Sequence, residues 1–239
     1  KSFYFLIKPF FSWNFHIGIE HFVMWGGQSA DEEIGNFPEG FKDYWRYVMG
    51  LPGNENFTSH DQLNVAGNHL GTYQFRVTKS FPGIKASLYV SHPYETHRGL
   101  NLRNWPDNLI GLFFSIQKEK NWITDILYEL TNTRHQNIDD SLYVWNEAIN
   151  SWNLLLQENY FSHLLYKTGY TYHQRVMGSP LFFPVSLQSN GAPRGRQAIR
   201  SNRFIAHHLG MKGVFSEFLH WKALLTWIHH LGSYVQPYK

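Results

Sequence analysis

No cysteine occurs in the 239 residues, which excludes a disulfide framework and every cysteine-ligated metal or cysteine nucleophile. Charge is scarce too. Asp, Glu, Lys and Arg make up 16% of the chain, against about 25% in an average soluble domain. The formal net charge of +3 is too weak to argue for a nucleic acid partner. No run of about 18 apolar residues exists, so no transmembrane helix is expected, and mean hydropathy is only −0.39. Neither a signal peptide nor an initiator Met stands at the start, and the chain reads as a mature or partial one. What is abundant is aromatic: Phe, Trp and Tyr reach 18%. Many aromatics, few charges and modest hydropathy suit a β-barrel with a lipid-facing outside and a polar inside, or a soluble lectin-like sandwich.

The stretch FSWNFHIGIEHFVMWGG (11–27) places large residues at every second position, from Phe11 through Trp13, Phe15, Ile17 and Ile19 to Trp25. Ser12, Asn14, His16, Gly18 and Glu20 fall between them. A period of two marks a strand with one apolar face, and this one outlasts the ordinary strand of about 5–6 residues. It is long enough to cross a bilayer, for which about 9–11 tilted residues suffice. Similar alternation predicts about ten strands: 3–7, 11–25, 72–79, 84–92, 109–117, 122–131, 162–176, 181–187, 203–213 and 218–230. Residues 141–156 (SLYVWNEAINSWNLLL) are read as a short helix within a loop as the other option for that region.

The connections favour the barrel. KSFPG (79–83), KEKN (118–121) and 213–217 are tight turns, whereas 26–71, 93–108, 132–159 and 188–202 are long and polar. Short and long connections in alternation are the habit of outer-membrane barrels, and loops beyond about 12–15 residues are otherwise uncommon. The expected fold is an all-β, antiparallel transmembrane β-barrel of the outer-membrane type with long extracellular loops, one domain over 1–239. Because a closed barrel leaves no free edge, further strands from outside this segment are expected to complete it. Trp13, Phe15, Ile17, Ile19, Leu219, Trp221 and Leu225 should face lipid, and Arg76, Lys85, Asp125 and His220 the lumen.

TGYTYHQRVMGSPLFFP (168–184) and SNRFIAHHLGMKG (201–213), with HFVMWGG (21–27) and NHLGTYQFRV (68–77), resemble the Wzi-type capsule assembly family of Gram-negative outer membranes. The likeness runs from about residue 11 to the end and corresponds to the C-terminal part of a longer member. It implies a large closed barrel in the cell outer membrane acting as a surface lectin that attaches capsular polysaccharide, with outer-membrane lipid, surface polysaccharide and other outer-membrane proteins as partners. The helical bundle of that family is not visible here, and loops 26–71 and 132–159 match no polysaccharide-binding segment.

Sugars stack their C–H faces on aromatic rings and give their hydroxyls to polar neighbours, while arginine suits acidic groups. The candidate polysaccharide-binding residues are therefore Tyr44, Trp45 and Arg46 in the first long loop, Tyr94, Arg98, Arg103 and Trp105 in the second, and Arg196 beside Arg194 and Arg200 in the last. Against a uniformly basic surface, loop 26–71 holds the acids Asp31, Glu32, Glu33, Glu39, Asp43, Glu55 and Asp61. The paired histidines 207–208 and 229–230 point to opposite faces of a strand, so no metal site and no cofactor are expected. Acidic clusters such as Asp31–Glu33 or Asp139–Asp140 lack the EF-hand pattern. No GxSxG motif accompanies the adjacent Ser91–His92 and Ser162–His163, and no enzyme is expected. A porin using Arg76, Lys85, Asp125 and Glu129, or a structural subunit of a larger outer-membrane complex, stays open as the alternative.

Overall fold

The computed structural model describes residues 2–7, 12–29, 35–117, 122–138, 142–146, 151–155, 158–186, 198–234 and 236–238. Along the chain come β1 (Ser2–Ile7), β2 (Trp13–Met24), α1 (Phe41–Met49), α2 (Ser59–Leu63), β3 (Asn68–Phe81), β4 (Ile84–Tyr94) and α3 (His97–Leu100). Then follow β5 (Asn108–Ile116), β6 (Asp125–Asn132), β7 (Leu142–Asn146), β8 (Ser151–Leu155), β9 (Thr171–Tyr172), β10 (Arg175–Val176), β11 (Phe183–Pro184), β12 (Ile199–Ser201), β13 (Phe204–Ser216) and β14 (Leu219–His230). The protein is mostly β, dominated by one eight-stranded antiparallel sheet in the order β1-β2-β3-β4-β5-β6-β13-β14.

The register turns the alternation of the sequence into two chemically opposite faces. One row of cross-strand partners reads Ile7–Phe15–Val77–Leu88–Leu112–Tyr128–Leu209–Leu225. One residue along each strand, the opposite face reads Leu6–His16–Arg76–Tyr89–Gly111–Glu129–His208–Thr226. Among the described residues no protein layer covers the apolar row: Leu88, Leu112, Leu209 and, at 70% relative exposure, Leu225 are all exposed. Trp13, Phe15, Ile17, Ile19 and Trp221 share that face, and Lys85, Asp125 and His220 share the polar one, as the periodicity predicts.

The buried residues gather at one end of the sheet, where the long connections fold. On the polar face, Tyr160, Phe161, Tyr170, Phe182, Ala198 and Ile199 pack with Phe204 and Ala206 of β13, and with Met24, Leu70 and Ile228 from β2, β3 and β14. On the apolar face, Tyr47, Phe57 and Ala66 pack with Val23. At the other end the strands meet in tight turns. Between β3 and β4 the turn is Pro82–Gly83, with proline fixing one φ and Gly83 taking φ +77°.

Three expectations are corrected. The sheet is open, with β1 and β14 at its edges, and no closed barrel forms among the described residues. A closed eight-stranded barrel has an interior just filled by side chains, and here Tyr160, Phe161, Tyr170, Phe182, Ala198 and Ile199 from the last connection pack on the polar face. Secondly, 162–176 and 181–187 are not long strands. Positive φ at Phe161, Gly169, His173, Gln174 and Gly178 repeatedly breaks the extended path, leaving only the β9–β10 pair and the β11–β12 pair. Thirdly, the described parts of the 141–156 region are strands and not helix: β7 and β8 pair antiparallel from Leu142↔Leu155 to Asn146↔Ser151, in keeping with the strand preference of Tyr143, Val144, Trp145 and Trp152. The KEKN turn (118–121) lies outside the described residues.

At the turn end, backbone passes directly over Gly213. A Cβ there would sit 1.6 Å from the Trp122 carbonyl oxygen, and the Trp221 indole N–H donates to that same oxygen at 2.7 Å. Gly213→Ala should therefore destabilise the fold by about 1–3 kcal/mol, the usual range for forced overpacking. Denaturant unfolding checks this, and an unchanged midpoint would show that the chain at Trp122 does not press on β13.

Candidate functional site

The long connections build a cap. In α1, the Gly40 N–H donates to the Asp43 carboxylate at 3.2 Å at the start, and Gly50 closes the helix with φ +63°. One side of α1 is anchored: Tyr47 is fully buried, lies 5.5 Å from the Trp25 ring, and donates its hydroxyl to the Pro38 carbonyl at 2.9 Å. The other side presents Phe41, Trp45 and Met49, exposed by 78, 47 and 64%. Spaced by four, they form one apolar stripe facing away from the protein.

The three long connections are fastened to one another by polar contacts. The first and second meet where the His97 N–H donates to Asn64 Oδ1 at 3.2 Å. The third joins them through Glu158, whose carboxylate accepts from the Glu95 N–H (2.8 Å), the Thr96 N–H (3.2 Å) and the Thr96 hydroxyl (2.6 Å). In return the Phe161 N–H donates to Glu95 Oε1 at 2.6 Å. The Tyr160 hydroxyl donates to Asp107 Oδ2 at 2.9 Å and accepts from the Asn104 amide at 2.9 Å. Burial pushes Glu158 up to about 7, against the hydrogen bonds that favour its ionised form. Burial, and then the charge of Glu158, hold Glu95 well above the usual carboxylate range. His163 is held neutral by burial and by neighbouring histidines, and its Nδ1 accepts the Leu165 and Tyr166 N–H groups at 3.2 and 3.3 Å.

The candidate binding residues fall into distinct settings. Trp45 is on the exposed stripe of α1, Tyr44 packs its ring 5.3 Å from that of Trp25, and Arg46 donates to the Pro52 carbonyl at 3.0 Å. Arg98 lies in α3 and is half-buried, Arg103 is exposed, and Trp105 is 58% exposed and stacked on His92. Tyr94 is different. It is 2% exposed, its ring fills the space above Gly71 of β3, and its hydroxyl donates to the Glu20 carbonyl of β2 at 3.1 Å, so it packs within the sheet and is turned away from solvent. Arg194 and Arg196, with Asp31, Glu32, Glu33, Asp139 and Asp140, lie outside the described residues. Thus the fold brings the first and second long loops together in one cap, and Trp45 and Trp105 are its outward aromatics.

Below the cap, the polar row crosses the sheet. Tyr89 donates its hydroxyl to Glu129, Arg76 lies over the Tyr89 ring, and Lys212 pairs with Asp125 at 3.1 Å. His207 and His208 part to opposite faces, accepting or donating to Tyr128 and Thr226 respectively, both at 2.8 Å. Among the described residues no three His, Asp or Glu side chains converge for a metal ion.

Comparison brings no relative. No protein-family model, curated protein or solved structure matches the chain. The Glu95–Glu158 fastening was invisible to sequence reasoning, since the two lie far apart in the chain and neither sits in a motif. Tyr89–Gly111–Glu129 did leave a trace: a glycine at mid-strand on the same face as a tyrosine and a carboxylate.

The raised carboxylates make the cap pH-sensitive. A carboxyl whose folded pKa exceeds its unfolded value near 4.3 contributes most below that value and loses stability as pH rises through the folded pKa. For Glu158 the window runs from about 4.3 to about 7. Amide exchange at Glu95, Thr96 and Phe161, corrected for intrinsic rates, should show stronger protection at pH 5 than at pH 8, and Glu158→Gln should flatten the difference. Equal protection at both pH values in the native chain would rule the fastening out.

Proposed function

We propose that this chain is a piece of an outer-membrane β-barrel whose loop cap holds a cell-surface polysaccharide, as in the Wzi-type capsule assembly family that its segments resemble. The observation that carries the membrane part is the unbroken apolar row from Ile7 to Leu225, with no protein layer over it among the described residues. A lipid exterior accounts for such a face, because hydrocarbon supplies the missing cover. The dimensions agree. β2 has 12 residues, which at about 3.4 Å each span ~40 Å, or roughly 30 Å when tilted by about 40°. The rims suit the reading as well: Trp13 carries Lys79 over its ring at 4.4 Å at the turn end, while Trp227 with His207 beside it stands toward the loop end.

The polysaccharide part rests on the resemblance and on the outward aromatics of the cap. Trp45 and Trp105 offer ring faces to sugar C–H surfaces, and Arg98 and Arg103 offer charge to acidic units. Exposed ion pairs contribute only about 0–1 kcal/mol each, so retention of a polymer relies on repeated weak contacts acting together. The charged polar face gives some support to the porin reading. The packing of Tyr160, Phe161, Tyr170 and Phe182 over the loop end of that face weighs against an open channel.

Trp45→Ala combined with Trp105→Ala is expected to release polysaccharide from cells while the protein stays folded in the outer membrane. Surface polysaccharide is measured on whole cells, and heat-modifiable migration reports the fold. Full retention by a folded double variant would remove the cap from polysaccharide binding.

A further inference from the structure

The polar face holds an open cleft of about 650 Å³ toward the turn end. That volume falls within the roughly 300–1,000 Å³ of small-ligand sites. Its floor is the mid-strand row His16–Arg76–Tyr89–Gly111–Glu129. Gly111 shapes this floor: a Cβ there would come 2.1 Å from the Tyr89 ring, so only glycine lets the ring lie across β5 and reach Glu129. The Arg76 guanidinium then stacks on that ring, its Cζ 4.8 Å from the centroid. Stacking occupies the flat face of an arginine and leaves its N–H edge, the part that matches a carboxylate in a two-pronged contact.

Charge in the cleft is not balanced by the chain itself. Arg76 and Lys85 both line it, and among the described residues neither has a carboxylate partner. The acid that shares the cleft, Glu129, is already engaged by the Tyr89 hydroxyl. Around the cations stand neutral hydrogen-bonding groups, the amides of Asn14 and Gln74. A held arginine, a nearby ammonium and neutral amides together match a hydroxyl-rich ligand that carries a carboxylate.

We propose that this cleft binds a hexuronate unit of an acidic saccharide, with Arg76 taking the carboxylate, Lys85 adding attraction as a point charge, and Asn14 and Gln74 meeting hydroxyls. The site lies on the sheet and is separate from the cap, so it stands or falls independently of polysaccharide retention by the loops.

Purified full chain in detergent, titrated calorimetrically with a trimeric hexuronate and with its neutral hexose counterpart, tests this. The hexuronate should bind about tenfold or more tightly than the neutral trimer. Arg76→Ala should lose about tenfold or more, and Arg76→Lys should recover only part, since an ammonium cannot form the two-pronged contact. Lys85→Gln should weaken binding and Glu129→Gln, which removes an opposing charge, should tighten it; these two variants carry the test if Arg76→Ala does not fold. The proposal is overturned if the native chain takes up no hexuronate, if the neutral trimer binds equally, or if inorganic phosphate competes as well as the hexuronate. It is likewise overturned if every folded cleft variant binds like the native chain.

Discussion

A β-sheet whose one face is Phe, Ile, Leu and Trp must cover that face with something, because apolar surface left in water costs about 25 cal/mol for each Å². Soluble sheets cover it with a second layer of sheet or helix. In this protein the row from Ile7 through Leu112 to Leu225 spans all eight strands and meets no such layer among the described residues. Much else follows from that constraint. The strands are long and strictly alternating because both faces have fixed and different surroundings, and a register slip of one residue would exchange Leu88 for Tyr89 and Leu209 for His208. The core has nowhere to form except at the end of the sheet, where the long connections fold back.

That displaced core explains the character of the cap. Its two apolar clusters are small, one around Tyr160, Phe182 and Phe204 and the other around Tyr47 and Phe57. Polar side chains take over the work of joining segments. Glu158, Glu95, Asp107, Asn104 and Tyr160 are buried and hydrogen-bonded across two connections. Such networks fix a geometry well when every member is satisfied, which is what a surface presenting Trp45 and Trp105 at set positions requires. Burial of those carboxyls, which raises Glu95 and Glu158 above the usual carboxylate range, predicts a pH response in the cap, while the sheet below it depends on pairing and on its faces.

The sheet was largely legible in the sequence because a period of two is a local signal. The strands at 3–7, 72–79 and 218–230 follow it, and Pro82–Gly83 announces its own turn. The segment 162–176 misled for a physical reason: Tyr170 and Tyr172 alternate like strand residues, yet Gly169 before them and His173 and Gln174 after them turn the backbone into positive φ. Tyr94 misled in another way. It stands in a long polar connection by sequence, but β4 continues to it and Gly71 makes room for its ring. The fastening of Glu158 to Glu95 and Thr96 depends on how two distant loops meet, and no spacing rule encodes that. Of the cap, the exposed aromatics could be named in advance and the contacts that hold them could not.

The central claim is that the apolar face meets hydrocarbon, and a nitroxide scan along β3 tests it most directly. Single labels at positions 73 to 78 of the protein in lipid vesicles are read for collision with oxygen, which concentrates in lipid, and with a water-soluble nickel complex. The account predicts an alternation with a period of two, in which 73, 75 and 77 collide with oxygen and 74, 76 and 78 do not. Equal oxygen accessibility at neighbouring positions, or nickel access at 75 and 77, would contradict it.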